Sequence, residues 1–213
     1  MESFTRGLYK FGEVIIYTIV SFLCSGLILL PILAIDLLVE GSLSSYIILF
    51  VPLVGLIGFA AERQALSFTA AFVNDKKVYL PYFKDVFNKD WLSKYGLYTL
   101  LFALYYYANG SLRIIGETSA VFGILRIILL YFYRGIIFYT ILQTSHRKYV
   151  GVIASVKNSL ILTYKYFVFS LIVYVIWEIF ENLYIANNIW IFIFIIIFAA
   201  LINTINEYAI KKI

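Results

Sequence analysis

Four ionisable side chains stand inside otherwise apolar runs and are the ones placed to do chemistry: Arg126, Arg134, Glu178 and Glu181. The two arginines are eight residues apart, which on a helix sets them about 12 Å apart along the axis and on roughly the same side. A guanidinium at mid-bilayer costs at least about 2.5 kcal/mol, so each is expected to face a protein interior or a water-filled cavity. Three uses follow. Arg126 can pair with Glu178 across helices as a structural salt bridge, leaving Arg134 with no evident partner; both arginines can line a path and hold an anionic group; or they can snorkel to the interface. Glu178 and Glu181, three residues apart, share one helical face, where a carboxylate pair can bind a cation or relay a proton. The plainer expectation is a salt bridge for Glu178 and a helix end in the headgroup layer for Glu181. The substrate-binding candidates are therefore Arg126, Arg134 and Glu178.

Other chemistries lack their residues. One cysteine, Cys24, allows no intrachain disulfide, and one cysteine with one histidine cannot supply a Cys/His zinc cluster. No serine elbow, glycine-rich phosphate loop or His-Glu metal motif occurs. The expectation is a protein without enzymatic activity, bound metal or cofactor. His146, beside Arg147 and Lys148, reads as an interface residue, and Glu207 with Asn203 and Asn206 as a stripe for interhelical hydrogen bonding.

The elements that must position these side chains are apolar helices. Of 213 residues, 63% are hydrophobic, 19% aromatic and 14% charged, with a mean hydropathy of +0.92. Soluble domains are about a quarter charged, so this chain has too little polar material to cover a water-facing surface and must dissolve in lipid. The expected fold is all-α, a single polytopic domain of six transmembrane helices at about 14–35, 42–60, 95–108, 119–143, 164–183 and 189–209. Asn109 to Thr118 is read as an external loop. Cytoplasmic amphipathic segments are expected at 61–94 and 144–163. In the first of these, Phe83, Val86, Phe87 and Trp91 recur at helical spacing with lysines mostly opposite, the pattern of a helix in the headgroup layer.

Charge sets the threading. Lys and Arg flanking membrane spans stay cytoplasmic, and fourteen of the seventeen basic residues fall at the termini or in 61–94 and 144–165. Only Arg113 lies outside and Arg126 and Arg134 within, so both termini are expected in the cytoplasm of a multi-pass cell-membrane protein. The net charge of +5 is distributed among short loops. That distribution suits the lipid bilayer as partner and not nucleic acid. Glycines at 55 and 58 suit close approach of another helix. A faint repeat links Trp91-Leu-Ser-Lys94-Tyr95 with Leu162-Thr-Tyr-Lys165-Tyr166.

The opening Arg6-Gly-Leu-Tyr-Lys-Phe-Gly-Glu13, running directly into an apolar span, resembles the YesL family of small bacterial membrane proteins. The length and the layout of the second span and its basic break are also similar to that family, although Gly58-Phe-Ala-Ala61 stands where many members have a Pro-Ala-rich turn. The resemblance implies a transport-accessory role or small transporter, linked to carbohydrate uptake by ABC transporter components, and assigns no residues. The alternative is a non-transporting interaction protein whose segment 61–94 recruits a partner through Lys84, Lys89 and Trp91.

Overall fold

The computed structural model describes residues 2–38, 47–72, 89–116, 119–186 and 190–207. Within them lie seven α-helices: α1 (Glu2–Leu38), α2 (Ile47–Phe72), α3 (Trp91–Gly116), α4 (Ala120–His146), α5 (Val152–Lys165), α6 (Phe167–Ala186) and α7 (Trp190–Ile205). Helix is the form in which an apolar run satisfies its own backbone groups without water. Pro31 and Pro52 lie inside α1 and α2 without ending them. Three segments are long and apolar enough to cross a membrane: Ile15–Ile35, Ala120–His146 and Phe167–Tyr184. Helix α7 is as apolar but shorter.

The pairs α2 and α3, α3 and α4, and α6 and α7 run antiparallel. Helix α2 meets α3 through Glu62 with Lys94 at one end and Gly55 with Thr99 further along. Helix α3 meets α4 through Tyr98 with Thr144, Tyr105 with Arg134 and Asn109 with Arg126. Helix α6 returns along α4 and pairs with α7 through Trp177 with Phe198 and Phe180 with Trp190. The second half of α4 is the axis of the molecule, buried on nearly every side from Leu130 to Ser145. Its first half exposes Val121, Phe122, Ile124, Leu125, Ile127 and Ile128.

Several expectations change. The third helix does not stop at Ala108: 109–116 continue α3, and the turn to α4 is closed by Ser119, whose hydroxyl accepts from the Val121 amide at 3.3 Å. Beyond the expected end of the second span at Ala60, residues 61–72 prolong it as a helix, as the sequence allows. The first part of the segment 61–94 is buried helix, with Ala61, Glu62, Arg63, Gln64, Ala65 and Ser67 all inside. Residues 73–88, including Lys84 and the segment around Phe83 to Phe87, lie outside the described residues. Lys89 is exposed and Trp91 half-buried at the start of α3.

The segment 144–163 also divides. Residues 144–146 finish α4, and Gly151, with φ of +96°, makes the left-handed turn that non-glycine residues resist before α5 begins. Helix α5 packs antiparallel on α4 through small polar residues. Ser159 bonds Thr140 at 2.9 Å and Gln143 at 2.7 Å, and Thr163 sits against Gly135. Its outward side carries Ile153, Leu160, Ile161 and Tyr164, exposed, with Lys157 and Asn158 exposed among them. This is the reverse of a water-soluble amphipathic helix, and it suits lipid outside and protein inside. The helix breaks at Tyr166 (φ −108°, ψ 48°), so the fifth long helix begins at Phe167 and not at Tyr164. The carbonyl of Thr163 at the break accepts from Ser170 at 3.0 Å and Tyr131 at 3.3 Å. The two halves of the faint repeat thus differ in setting: Lys94 is buried in the first turn of α3, while Lys165 is exposed at the end of α5.

Candidate functional site

Arg134 sits midway along α4, 1% exposed, and is the largest fully buried side chain of the molecule among the described residues. Three helices converge on it. From α3, the Tyr105 hydroxyl accepts from Nε at 2.9 Å. From α6, Glu181 Oε2 lies 2.7 Å from Nη2, Glu178 Oε2 lies 2.5 Å from Nη1, and the Tyr174 carbonyl accepts from Nη1 at 3.3 Å. The guanidinium also lies over the Tyr174 ring, 4.7 Å from its centroid, with the Tyr105 ring at 5.7 Å.

The carboxylates are held in turn. Tyr105 donates to Glu181 Oε2 at 2.6 Å, and Asn109 Nδ2 donates to Oε1 at 2.5 Å. Arg126 reaches the network only through Asn109, its Nη2 donating to Oδ1 at 3.3 Å. The expected Arg126–Glu178 pair is therefore replaced by Arg134 with Glu178 and Glu181, and Arg134, expected without a partner, has two. Glu181, expected in the headgroup layer, is a central member. The structure brings Arg134, Glu178 and Glu181 together, with Arg126 at the margin.

Exposure within the group is lopsided. The Arg134 side chain is sealed at 1%, whereas the Glu178 and Glu181 side chains remain 41% and 22% exposed. An outside anion finds no open face on the guanidinium, because the protein's own carboxylates occupy it.

A second polar layer lies about 15 Å away along α4, ten residues on at Thr144. Glu62 of α2 is 0% exposed, and its Oε1 takes Lys94 Nζ at 2.6 Å. Tyr98 donates to Glu62 Oε2 at 2.8 Å and shares a hydrogen bond with Thr144 Oγ1 at 2.6 Å, while Lys94 also donates to the Thr144 carbonyl at 3.3 Å. Beside it, His146 joins Ser145 at 2.7 Å, Asn203 at 3.0 Å and Thr69 at 3.2 Å, so it links α2, α4 and α7 and is more than the interface residue expected. Between the layers lie Leu101, Phe102, Phe138, Trp177 and Phe198, all buried.

Glu62 and Lys94 were not among the sequence candidates. The signal was present in the small residues Gly55, Gly58, Ala60, Ala61 and Ala65 on both sides of Glu62, which mark continued tight packing. The density of charge in the 61–94 interval masked it.

Fold and site define an all-helical protein with helices suited to crossing a membrane, carrying two buried charged layers. Set against protein-family models, curated proteins and solved structures, the chain matches none.

Proposed function

We propose that this chain is a small multi-pass transporter of the cell membrane, or the accessory subunit of one. In this reading α1, α2, α3, α4, α6 and α7 cross the bilayer with both termini cytoplasmic, and the Arg134 group is the central site. The single observation that carries the proposal is one sealed guanidinium held by two carboxylates that are themselves partly open. Ionisable groups in the middle of a membrane helix are costly, and those that face the bundle interior mark pathways and relays.

Charge balance gives the mechanism. One guanidinium faces two carboxylates, so an entering anion competes with Glu178 and Glu181 for Arg134. Adding an uncompensated charge at this depth is expensive, and protonation of a carboxylate removes the competitor as the anion arrives. The substrate class is an anionic solute, carried with a proton, such as the sugar acids and sugar phosphates that a link to carbohydrate uptake suggests. Tyr105 and Asn109 hold Glu181 at the site through hydrogen bonds to its two oxygens.

The test is uptake of sugar acids and sugar phosphates into proteoliposomes under an inward proton gradient. Arg134→Ala is expected to abolish uptake, and Glu181→Gln to leave residual uptake that no longer responds to the gradient. The competing reading, recruitment of a partner through 61–94, wins if no solute is taken up and charge reversal at Lys84 and Lys89 abolishes partner capture.

A further inference from the structure

Arg126 lies six residues into α4, about 9 Å along the axis from its start. If the Ser119 turn meets the membrane surface, that depth is the boundary between headgroups and hydrocarbon. A guanidinium carries five N–H donors. Among the described residues Arg126 makes one hydrogen bond, to Asn109 at 3.3 Å, and its Nε is shut off from solvent without an acceptor. The stem runs past Gly116 at the end of α3, its Cδ 3.7 Å from the position a Cβ there would occupy. Among the described residues no carboxylate is free to serve it: Glu181 is taken by Tyr105, Asn109 and Arg134, Glu178 by Arg134, and α4 itself contains no acidic residue.

The surroundings select the missing acceptor. Phe122, Leu125 and Ile127, within a turn of Arg126 on α4, are exposed and apolar. A cation with open donors at headgroup depth, flanked by surface that suits acyl chains, fits an oxyanion that arrives attached to hydrocarbon. We infer that Arg126 and Asn109 form a binding site for the phosphodiester of a phospholipid in the leaflet at the α3–α4 turn. The guanidinium takes two phosphate oxygens in its planar fork, and Asn109 holds the fork in place. Arg126 is a lipid site beside the Arg134 group, and this assignment does not depend on transport.

The experiment uses the full chain, delipidated in an uncharged maltoside detergent and titrated with dihexanoyl phosphatidylglycerol, with the thermal unfolding midpoint as readout. Parallel titrations use dihexanoylglycerol, which has the chains but no phosphate, and inorganic phosphate. The phospholipid is expected to raise the midpoint of the native protein saturably, with dihexanoylglycerol inert. Arg126→Gln is expected to weaken the apparent affinity about tenfold, the scale of one hydrogen bond to a charged group. Arg113→Gln, an exposed cation on the same turn, is expected to leave it unchanged. Should Arg126→Gln fold poorly, Arg126→Lys and Asn109→Ala serve, each with a smaller loss. Equal affinity in the Arg126 variants, or an equal loss in Arg113→Gln, overturns the site. Stabilisation by inorganic phosphate at the same concentrations overturns the lipid assignment in favour of a free oxyanion.

Discussion

Glu62 and Arg134 are ionisable side chains buried almost completely, and the cost of that burial is recovered only while every partner is in place. Removing one member of a buried pair leaves the other uncompensated, at a cost of about 3–5 kcal/mol, whereas replacing both by apolar groups is often neutral. Glu62→Gln and Lys94→Met are therefore each expected to lower unfolding free energy by about 3–5 kcal/mol. The double variant Glu62→Leu/Lys94→Met is expected to recover the greater part of that loss. Reversible unfolding in mixed micelles measures the cycle, and strict additivity of the two single losses would show that the pair is not coupled. Arg134→Lys is a harsher change than its charge suggests. Arg134 uses its fork on two carboxylates and Tyr105 and lies against two aromatic rings, and an ammonium reproduces neither the fork nor the stacking. The expected loss is about 1.5–3 kcal/mol in the same assay, close to that of a lost hydrogen bond to a charged group. That charge would stand inside α4 and α6 was legible from Arg126, Arg134 and Glu178 in apolar runs, whereas Glu181 read as a helix end in the headgroup layer. Which arginine takes the carboxylates was not, because helical phase puts both arginines on one side and the choice depends on how far α6 slides along α4.

That slide is a property of elements. It is set where α5 ends at Tyr166 and α6 starts afresh, and no proline or glycine marks the break. The serines and threonine of the α5 seam at 155, 159 and 163 were visible as a moderately polar stretch, but their spacing of four serves an exposed polar face as well as a buried one. Only the apolar residues on the other side, facing outward in the fold, decide it. The α2–α3 contact was more legible, since Gly55 and Gly58 were read as places of close approach. A Cβ at Gly58 would lie 2.7 Å from Tyr98 Cγ, and one at Gly55 would lie 3.1 Å from the Thr99 backbone nitrogen. Gly58→Leu is therefore expected to destabilise by about 1–3 kcal/mol or more, as overpacking does, and to carry Tyr98 away from Glu62 and Thr144. Gly96, in the same α3, has nothing within 4 Å of its would-be Cβ. Gly96→Ala is expected to be neutral or to stabilise by up to about 1 kcal/mol through helix propensity. Midpoints of the two variants measured side by side separate a packing requirement from a general intolerance of side chains.

At the scale of the whole molecule, the succession of α1, α2, α3, α4, α6 and α7 puts Glu62, Lys94, Thr144, His146 and Asn203 at one end and Asn109, Arg126 and Glu181 toward the other. Three of those helices are long and apolar enough to cross a bilayer unaided. Helices α2 and α3 carry charge at their ends or in their interior, but the charge in the interior is buried against protein, so lipid does not meet it. This is why hydropathy alone does not single them out among the helices suited to crossing a membrane. Lys89 and Arg147, exposed before α3 and after α4, should share one side, and Arg113, exposed near the α3–α4 turn, should lie opposite. Placing single cysteines at these three positions in a Cys24→Ala background turns the arrangement into a labelling experiment in intact cells. A membrane-impermeant maleimide added outside is expected to react with Arg113→Cys at once, and with Lys89→Cys and Arg147→Cys only after permeabilisation. Labelling of all three from the same side would remove α3 and α4 as a membrane-crossing pair. It would put the Arg134 group at a surface, where two carboxylates and one guanidinium in water need no proton to accompany an anion.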